Sequence, residues 1–259
     1  MPLGVLFRMA ELLFYNRPAR LSRITHAKLR YTPLTNFEFA RKVTSVPLMA
    51  AEFPLACRQY PIVFAQNPDG TLSAHAVLSL TEGLNSFLDD KGQWTATYVP
   101  AFIRRYPFVL AEIPGKPDDF DVAFDEASSC FHPKKGEPLF DDHGAPSSLL
   151  QAQIDFLKNF HAEHQRTKRF LETLKAGDLL VPFNVDIVRG GDKAKFAVRN
   201  MLVVGEAKLV TLSSEKAGEY LKSGVLALIY AHLISLQSFL AVANRTGAPA
   251  ADMAPWWAK

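Results

Sequence analysis

Alternation of apolar and polar positions predicts three antiparallel β-hairpins. In the segment 72–80, leucine and alanine occupy nearly every second position, which is typical of a strand with one buried face. The turn before it contains Pro68, which presets φ, and Gly70, which accepts a positive φ. Short turns join antiparallel neighbours, so we expect the hairpins to share one twisted sheet. The strand pairs are 61–66 with 71–80, 108–113 with 120–124, and 182–188 with 195–204, joined at 67–70, 114–118 and 189–192.

Apolar positions at helical spacing predict three helices in the second half of the chain, over about 147–175, 213–223 and 225–244. The last is apolar on most faces and is expected in the core, with His232 as a buried, hydrogen-bonded core residue. Its polar residues argue against a transmembrane segment. The pattern predicts an α+β fold, an antiparallel sheet built from hairpins and packed against helices concentrated in the C-terminal half. We expect an N-terminal arm (1–45), a single domain (46–245) and a C-terminal tail (246–259).

Charge is unevenly distributed along the chain. Residues 1–48 carry eight basic and two acidic side chains, whereas residues 81–142 carry twelve acidic and six basic ones. The simplest interpretation is a basic arm packed on an acidic body of the same chain or of a second subunit. Binding to nucleic acid or another anionic surface is the alternative. No recognised nucleic-acid motif accompanies the arm, so we expect no nucleic acid as partner.

Cysteines and the amino terminus suggest an intracellular setting. Cys57 and Cys130 are too far apart for a metal-binding motif and too few for a disulfide framework, which predicts two reduced, buried thiols. The apolar run 2–7 is interrupted by Arg8 and Glu11, with no small-residue cleavage site after it, unlike a signal peptide. We expect a cytoplasmic protein, with signal-independent export to the cell surface as the alternative.

Histidines beside carboxylates raise the alternative of a metal-dependent enzyme, oxygenase- or hydrolase-like. His161 and His164 are three residues apart on a predicted helix, and Asp141 and His143 are two apart in a predicted loop. A solvated helix face and an Asp/Gly-rich turn explain the same residues. No Gly-rich phosphate loop and no Gly-x-Ser-x-Gly motif occurs, so we expect no cofactor and, on balance, no catalysis.

Two adjacent arginines form the most distinctive candidate binding site. Arg104 and Arg105 follow Tyr98 and precede Tyr106, and on a helix their side chains diverge by about 100°. At least one guanidinium is therefore expected to be partly buried and to need an acidic or carbonyl partner. Either the pair stabilises the sheet through an internal ion pair, or it binds the carboxylate of a ligand or peptide in a bidentate manner. The acids available in the sequence are Glu52, Glu82 and Asp125.

Several segments resemble the bacterial SapC family. The resemblance covers about residues 12–242, and one segment departs from it: 83–87 reads GLNSF where Glu-Asn-Leu-Phe is expected. The segments are YVPAFIRRYPF (98–108), VPLMAAEF (46–53), YPIVF (60–64), GEPLF (136–140) and LALIYAHLISL (226–236).

What the resemblance implies is a non-catalytic accessory or binding protein. The family is named for a protein associated with the surface layer of a Gram-negative bacterium. A role in the biogenesis, modification or export of a cell-surface component is therefore expected, with a protein partner and a possible homo-oligomer. The candidate binding residues are Arg104, Arg105, Tyr98, Tyr106 and Glu52.

Overall fold

The computed structural model describes residues 12–113, 115–188 and 195–245. The predicted turn at 189–192, Pro114 of the turn at 114–118, the start of the arm and the tail 246–259 lie outside the described residues. The fold is α+β, with antiparallel sheets and helices mostly in the C-terminal half, as predicted. The chain divides into two compact units, Met1–Phe39 with Ile103–Ala162, and Ala40–Phe102 with Glu163–Lys259. The arm and domain boundaries at 45 and 245 stay a prediction.

Within the described ranges both the strands and the helices vary widely in length. The strands are β1 Pro18–Arg20, β2 Arg30–Tyr31, β3 Ser45–Pro47, β4 Ile62–Gln66, β5 Leu72–Val77, β6 Phe108–Ile113, β7 Lys116–Asp125, β8 Phe131–His132, β9 Glu137–Pro138, β10 Leu180–Val188 and β11 Lys195–Val204. The α-helices are α1 Phe53–Ala56, α2 Ala101–Arg104, α3 Ser148–Ala176, α4 Glu206–Val210, α5 Ser214–Lys222, α6 Val225–Ser235 and α7 Ser238–Arg245. Two 3-10 turns cover Glu38–Ala40 and Ala50–Glu52.

The strands of all three predicted hairpins pair as expected, but the expectation of one shared sheet is wrong. Strands β4–β5 and β10–β11 belong to a five-stranded sheet in the order β10-β11-β4-β5-β3. Strands β6–β7 instead form a three-stranded sheet with β1, in the order β1-β7-β6. Alternation and turn residues specify pairing within a hairpin, whereas the neighbour beyond each edge depends on distant segments. Here β1, from the arm, occupies the edge beside β7.

The first unit is built around an aromatic core. Tyr31, Phe108 and Phe124 are buried together with leucines of the 139–157 region. Ring centroids of Tyr31 and Phe108 lie 5.4 Å apart, and burial raises the pKa of Tyr31 to about 12. A second small sheet, β8-β2-β9, places Tyr31 beside this core. Cys130 is also buried there as a free thiol.

The basic arm contacts acidic residues of its own unit. Arg17 pairs with Glu126 at 3.0 Å, and Arg20 pairs with Asp121 at 2.9 Å. Within the described part of the arm, these two ion pairs join it to the acidic segment 81–142. Because the pairs are largely exposed, they orient the arm more than they stabilise it.

The second unit places helix α6 in its core. The imidazole of His232 lies 4.6 Å from the Phe64 ring, centroid to centroid, and His232 Nε2 accepts a hydrogen bond from the Val204 amide at 3.0 Å. The side chain is fully buried, as predicted, and burial lowers its pKa to about 3. Cys57, in the same unit, is a buried free thiol.

The predicted helix 225–244 is two helices, α6 and α7, with a break at residues 236–237. The stretch Val225–Arg245 has the length and composition of a bilayer-crossing helix, and half of its apolar window is buried inside the protein. The core helix of a soluble protein meets the same criterion. The other predicted helices form as α3 and α5.

Candidate functional site

A buried carboxylate joins two of the distinctive segments in the second unit. Glu52 is the last residue of a 3-10 turn, and its Oε2 accepts a hydrogen bond from the Met49 amide at 2.8 Å. Its Oε1 accepts one from the Tyr98 hydroxyl and one from the Ala101 amide, both at 2.7 Å. Three donors converge on a side chain that is almost fully buried. Glu52 therefore fixes the segment 98–101 to the segment 46–53.

Tyrosine and tryptophan hydrogen bonds extend this cluster. The Tyr60 hydroxyl donates to the Tyr98 carbonyl oxygen. The indole Nε1 of Trp94 donates to the Tyr60 hydroxyl at 2.8 Å, and lies 3.2 Å from the Tyr98 carbonyl oxygen. Burial raises the pKa of Tyr60, so its hydroxyl stays protonated and able to donate. The segments 46–53, 60–64 and 98–101 thus meet around Glu52 and Tyr98.

A second buried carboxylate, Asp125, organises the first unit. Its Oδ1 accepts hydrogen bonds from the amides of Arg17 at 2.8 Å and Ala127 at 3.1 Å. Its Oδ2 accepts from the Asn16 amide at 3.1 Å and from the Tyr106 hydroxyl at 2.9 Å. Burial, reinforced by the nearby Asp125 charge, raises the pKa of Tyr106. Asp125 thereby joins the arm to the hairpin β6–β7.

The two adjacent arginines have opposite exposures. Arg105 is 3% exposed, and its guanidinium carbon lies 5.0 Å from the centroid of the Phe160 ring. Arg104 is exposed, and its guanidinium carbon lies 5.2 Å from the Phe156 ring centroid. Both rings belong to α3, four residues apart. This arrangement confirms that at least one arginine is buried.

The predicted binding residues are distributed over both units. Glu52 and Tyr98 touch each other, whereas Tyr106 contacts Asp125, one of the acids that the sequence makes available to an arginine. Arg104 and Arg105 lie over aromatic rings. Their role in ligand binding stays a prediction.

The residues of the metal-site alternative have local structural contacts. The Oδ1 atom of Asp141 accepts hydrogen bonds from the amides of His143 at 2.9 Å and Ala145 at 2.8 Å, which closes the loop after β9. The His161 ring lies 4.5 Å from the Phe120 ring, and His164 lies one turn further along α3. Among the described residues, no group of three or more His, Cys, Asp or Glu side chains could hold a metal ion. These residues give no support to the metal-dependent alternative.

Sequence reasoning missed the part played by Thr167. Its buried hydroxyl accepts a hydrogen bond from the Ala50 amide and donates to the Glu163 carbonyl, both at 2.8 Å. It thus holds the turn that ends in Glu52. A threonine in a strongly polar helix gives no signal of burial. Asp125 did have a signal, because an acid at the end of a strand can accept a hydrogen bond from the backbone amide two residues later, as it does from Ala127.

Comparison with known proteins identifies one family. The SapC family model matches residues 21–241 of the 259-residue chain. Searches of curated proteins and of solved structures find no match. The match covers Glu52, Asp125 and the whole segment 98–108, the residues around which both units are organised. The chain belongs to the SapC family.

Proposed function

We propose that this protein is a non-catalytic accessory or binding protein that serves the biogenesis, modification or export of a bacterial cell-surface component. It acts from the cytoplasm through a protein partner. Arg104 lies at the centre of its contact surface. Family membership supports the link to the cell surface, and the geometry of the segment 98–108 supports a binding role.

The exposure of Arg104 is the observation that carries this proposal. Within Tyr98–Phe108, Arg104 is the only exposed residue, and the other residues are buried or half-buried. Tyr98 and Tyr106 donate to internal carboxylates, so their polar groups are used within the fold. The exposed guanidinium of Arg104 lies over the Phe156 ring, and in this position it offers a planar group at the surface that suits a partner carboxylate.

The carboxylates of the site fit a structural role better than a catalytic one. Glu52 accepts three internal hydrogen bonds and Asp125 accepts four. A carboxylate that general acid–base catalysis uses must reach a substrate proton. Here both oxygens of each carboxylate face donors of the same unit, which supports a binding protein over an enzyme.

Partner capture tests this function. The full-length chain is used as bait in extracts of its source bacterium, alongside Arg104→Ala and a control, Lys158→Ala, which removes an exposed cation of the first unit. We expect a cell-envelope biogenesis protein to bind the wild type and the control, and to bind Arg104→Ala roughly tenfold less, as for an interfacial arginine hot spot. Purified partner and bait then give the dissociation constants.

Equal capture by wild type and a correctly folded Arg104→Ala contradicts the assigned contact surface. Deletion of the gene provides the second readout, because the proposal expects an altered amount or modification of a surface component. An unaltered cell surface after deletion contradicts the proposed role. Catalytic turnover by the purified chain would contradict the non-catalytic role and identify the protein as an enzyme.

A further inference from the structure

Basic side chains cluster around the connection between strands β8 and β9 in the first unit. The two strands lie on opposite sides of β2, and residues 133–136 join them. The register places Arg30 of β2 directly opposite His132 of β8. Arg30 Nη1 also donates a hydrogen bond of 3.0 Å to the Gly136 carbonyl, so the guanidinium lies beside the connection. We call this cluster the basic crossover: Arg30, His132, Lys134 and Lys135.

The basic crossover lies on the solvent side of the small sheet β8-β2-β9. Tyr31 is buried in the aromatic core of the unit, and Phe131, its neighbour in β8, packs against the same core. Successive side chains of a strand point to opposite faces, so Arg30 and His132 point away from that core. Both lysines of the connection are exposed.

The backbone of the connection is held at both ends. Strands β8 and β9 each pair with β2. Gly136 has φ of +99° and lies so close to the Tyr31 carbonyl that a Cβ atom would clash there. A group whose backbone is already ordered loses less conformational entropy when it binds a partner. The lysines are therefore presented from a preorganised segment.

No acid neutralises the basic crossover within the part of the chain that the structure describes. Arg17 and Arg20 of the arm are paired with acids of their own unit. By contrast, Arg30, Lys134 and Lys135 form no ion pair with any described residue. Like charges held near one another repel, and an acidic partner relieves that repulsion.

We infer that the basic crossover binds a short acidic segment of a partner protein. This inference rests on the proposed function and names the chemistry of the partner's contacting segment. All residues of 133–138 are exposed, and prolines are the apolar side chains among them, so the surface offers little to enter a lipid boundary. Exposed Glu137 follows the connection directly and would repel a long polyanion such as nucleic acid. A short run of Asp or Glu residues suits this small, bordered cationic surface.

Peptide binding to the purified full-length protein tests the inference. The probe is a short fluorescent peptide of alternating Glu and Ser, and the matched probe has Gln in place of each Glu. The crossover variant is the double substitution Lys134→Gln with Lys135→Gln. The control, Lys91→Gln with Lys222→Gln, removes the same charge from exposed lysines of the second unit. Fluorescence anisotropy gives the dissociation constants, and thermal melting checks that each variant folds.

We expect the acidic peptide to bind the wild type and the control, and to bind the crossover variant about five- to tenfold more weakly, since each exposed ion pair contributes modestly. The Gln peptide should not bind. Raising the salt concentration from about 0.05 M to about 0.2 M should weaken the binding several-fold, as for exposed charges. Equal binding of the acidic peptide by a folded crossover variant, or no binding by the wild type, overturns the inference. Displacement of the peptide by a tighter-binding single-stranded oligonucleotide overturns it as well and would assign the surface to nucleic acid.

The peptide assay needs no captured partner, so its outcome is separate from that of the proposed function. Partner capture that depends on Arg104, together with no peptide binding, would overturn the inference alone. Peptide binding that depends on the basic crossover, together with equal capture by wild type and Arg104→Ala, would support the inference and contradict the contact surface assigned to Arg104.

Discussion

The Tyr106 hydroxyl donates a hydrogen bond of 2.9 Å to Oδ2 of Asp125, across the open end of the hairpin β6–β7. Tyr106 precedes the first strand by two residues, and Asp125 is the last residue of the second. The same carboxylate accepts hydrogen bonds from the backbone amides of Asn16 and Arg17. One buried acid therefore closes the hairpin and anchors the arm beside it.

Asp125→Asn should destabilise the protein by about 2–3 kcal/mol, because an amide NH₂ group replaces an acceptor oxygen that faces buried donors. Tyr106→Phe should cost less, about 1 kcal/mol, because the three backbone amides still bind Asp125. Urea unfolding measures both. Asp142→Asn, at an exposed acid of the same unit, is the control and should lie within about 0.5 kcal/mol of the wild type. An equally small effect at Asp125 would contradict its anchoring role.

Glu52→Gln should destabilise the protein by about 2 kcal/mol, because Met49, Tyr98 and Ala101 donate to both of its oxygens and the amide offers only one. Tyr98→Phe should cost about 1 kcal/mol. The exposed Glu82 provides the matched control, Glu82→Gln. Chemical denaturation measures the difference. A Glu52→Gln variant as stable as the control would show that this carboxylate is available for another role, such as ligand binding.

Gly136→Ala should be strongly destabilising. Gly136 has φ of +99°, and a Cβ atom there would lie 2.6 Å from Thr32 Oγ1 and clash with the Tyr31 carbonyl. Gly144→Ala is the control: its φ is +78°, but nothing lies within 4 Å of the added atom. Both variants carry the strain of positive φ, about 1 kcal/mol, and only Gly136→Ala adds a clash. The melting temperature of Gly136→Ala should be well below that of Gly144→Ala. Equal melting temperatures would contradict the close contact of residue 136 with the Tyr31 carbonyl and Thr32.

Stability should fall with acidification because of His232. Burial lowers its pKa in the folded state to about 3, from 6.5 in the unfolded chain. Between these values the unfolded state binds the proton and the folded state does not, so stability is lost as the pH falls below about 6.5. The loss from His232 should reach about 2 kcal/mol by about pH 5. His75, whose pKa burial lowers to about 4, adds to the same fall.

Urea unfolding at about pH 7 and about pH 5 measures this effect. His232→Phe should be less stable at neutral pH, because the Val204 amide loses its acceptor, but should show a smaller loss on acidification. A pH dependence equal to that of the wild type would contradict the assignment to His232.

Local sequence patterns predicted the helices and strands of this fold better than the contacts between them. The hairpin β4–β5 follows from its alternation and from Pro68 and Gly70, and α3 follows from helical spacing. The sequence also indicated that one of Arg104 and Arg105 is buried. It could not identify which, because the answer depends on where Phe156 and Phe160 of α3 lie. The hydrogen bond from Tyr98 to Glu52 joins residues that are 46 positions apart, and no local sequence pattern predicts such a contact.

Interleaving of the two units along the chain has a consequence for folding during synthesis. Strand β1 pairs with β7 more than a hundred residues later, and β4 pairs with β11 at a similar distance. Each pairing first has to close a loop of more than a hundred residues, which costs conformational entropy. Pairings between such distant segments give a high contact order and slow folding. During synthesis on the ribosome, β1 cannot pair with β7 until residue 125 has emerged. Strand β4 likewise cannot pair with β11 until residue 202 has emerged. We expect the nascent chain to depend on chaperones that shield unpaired strands.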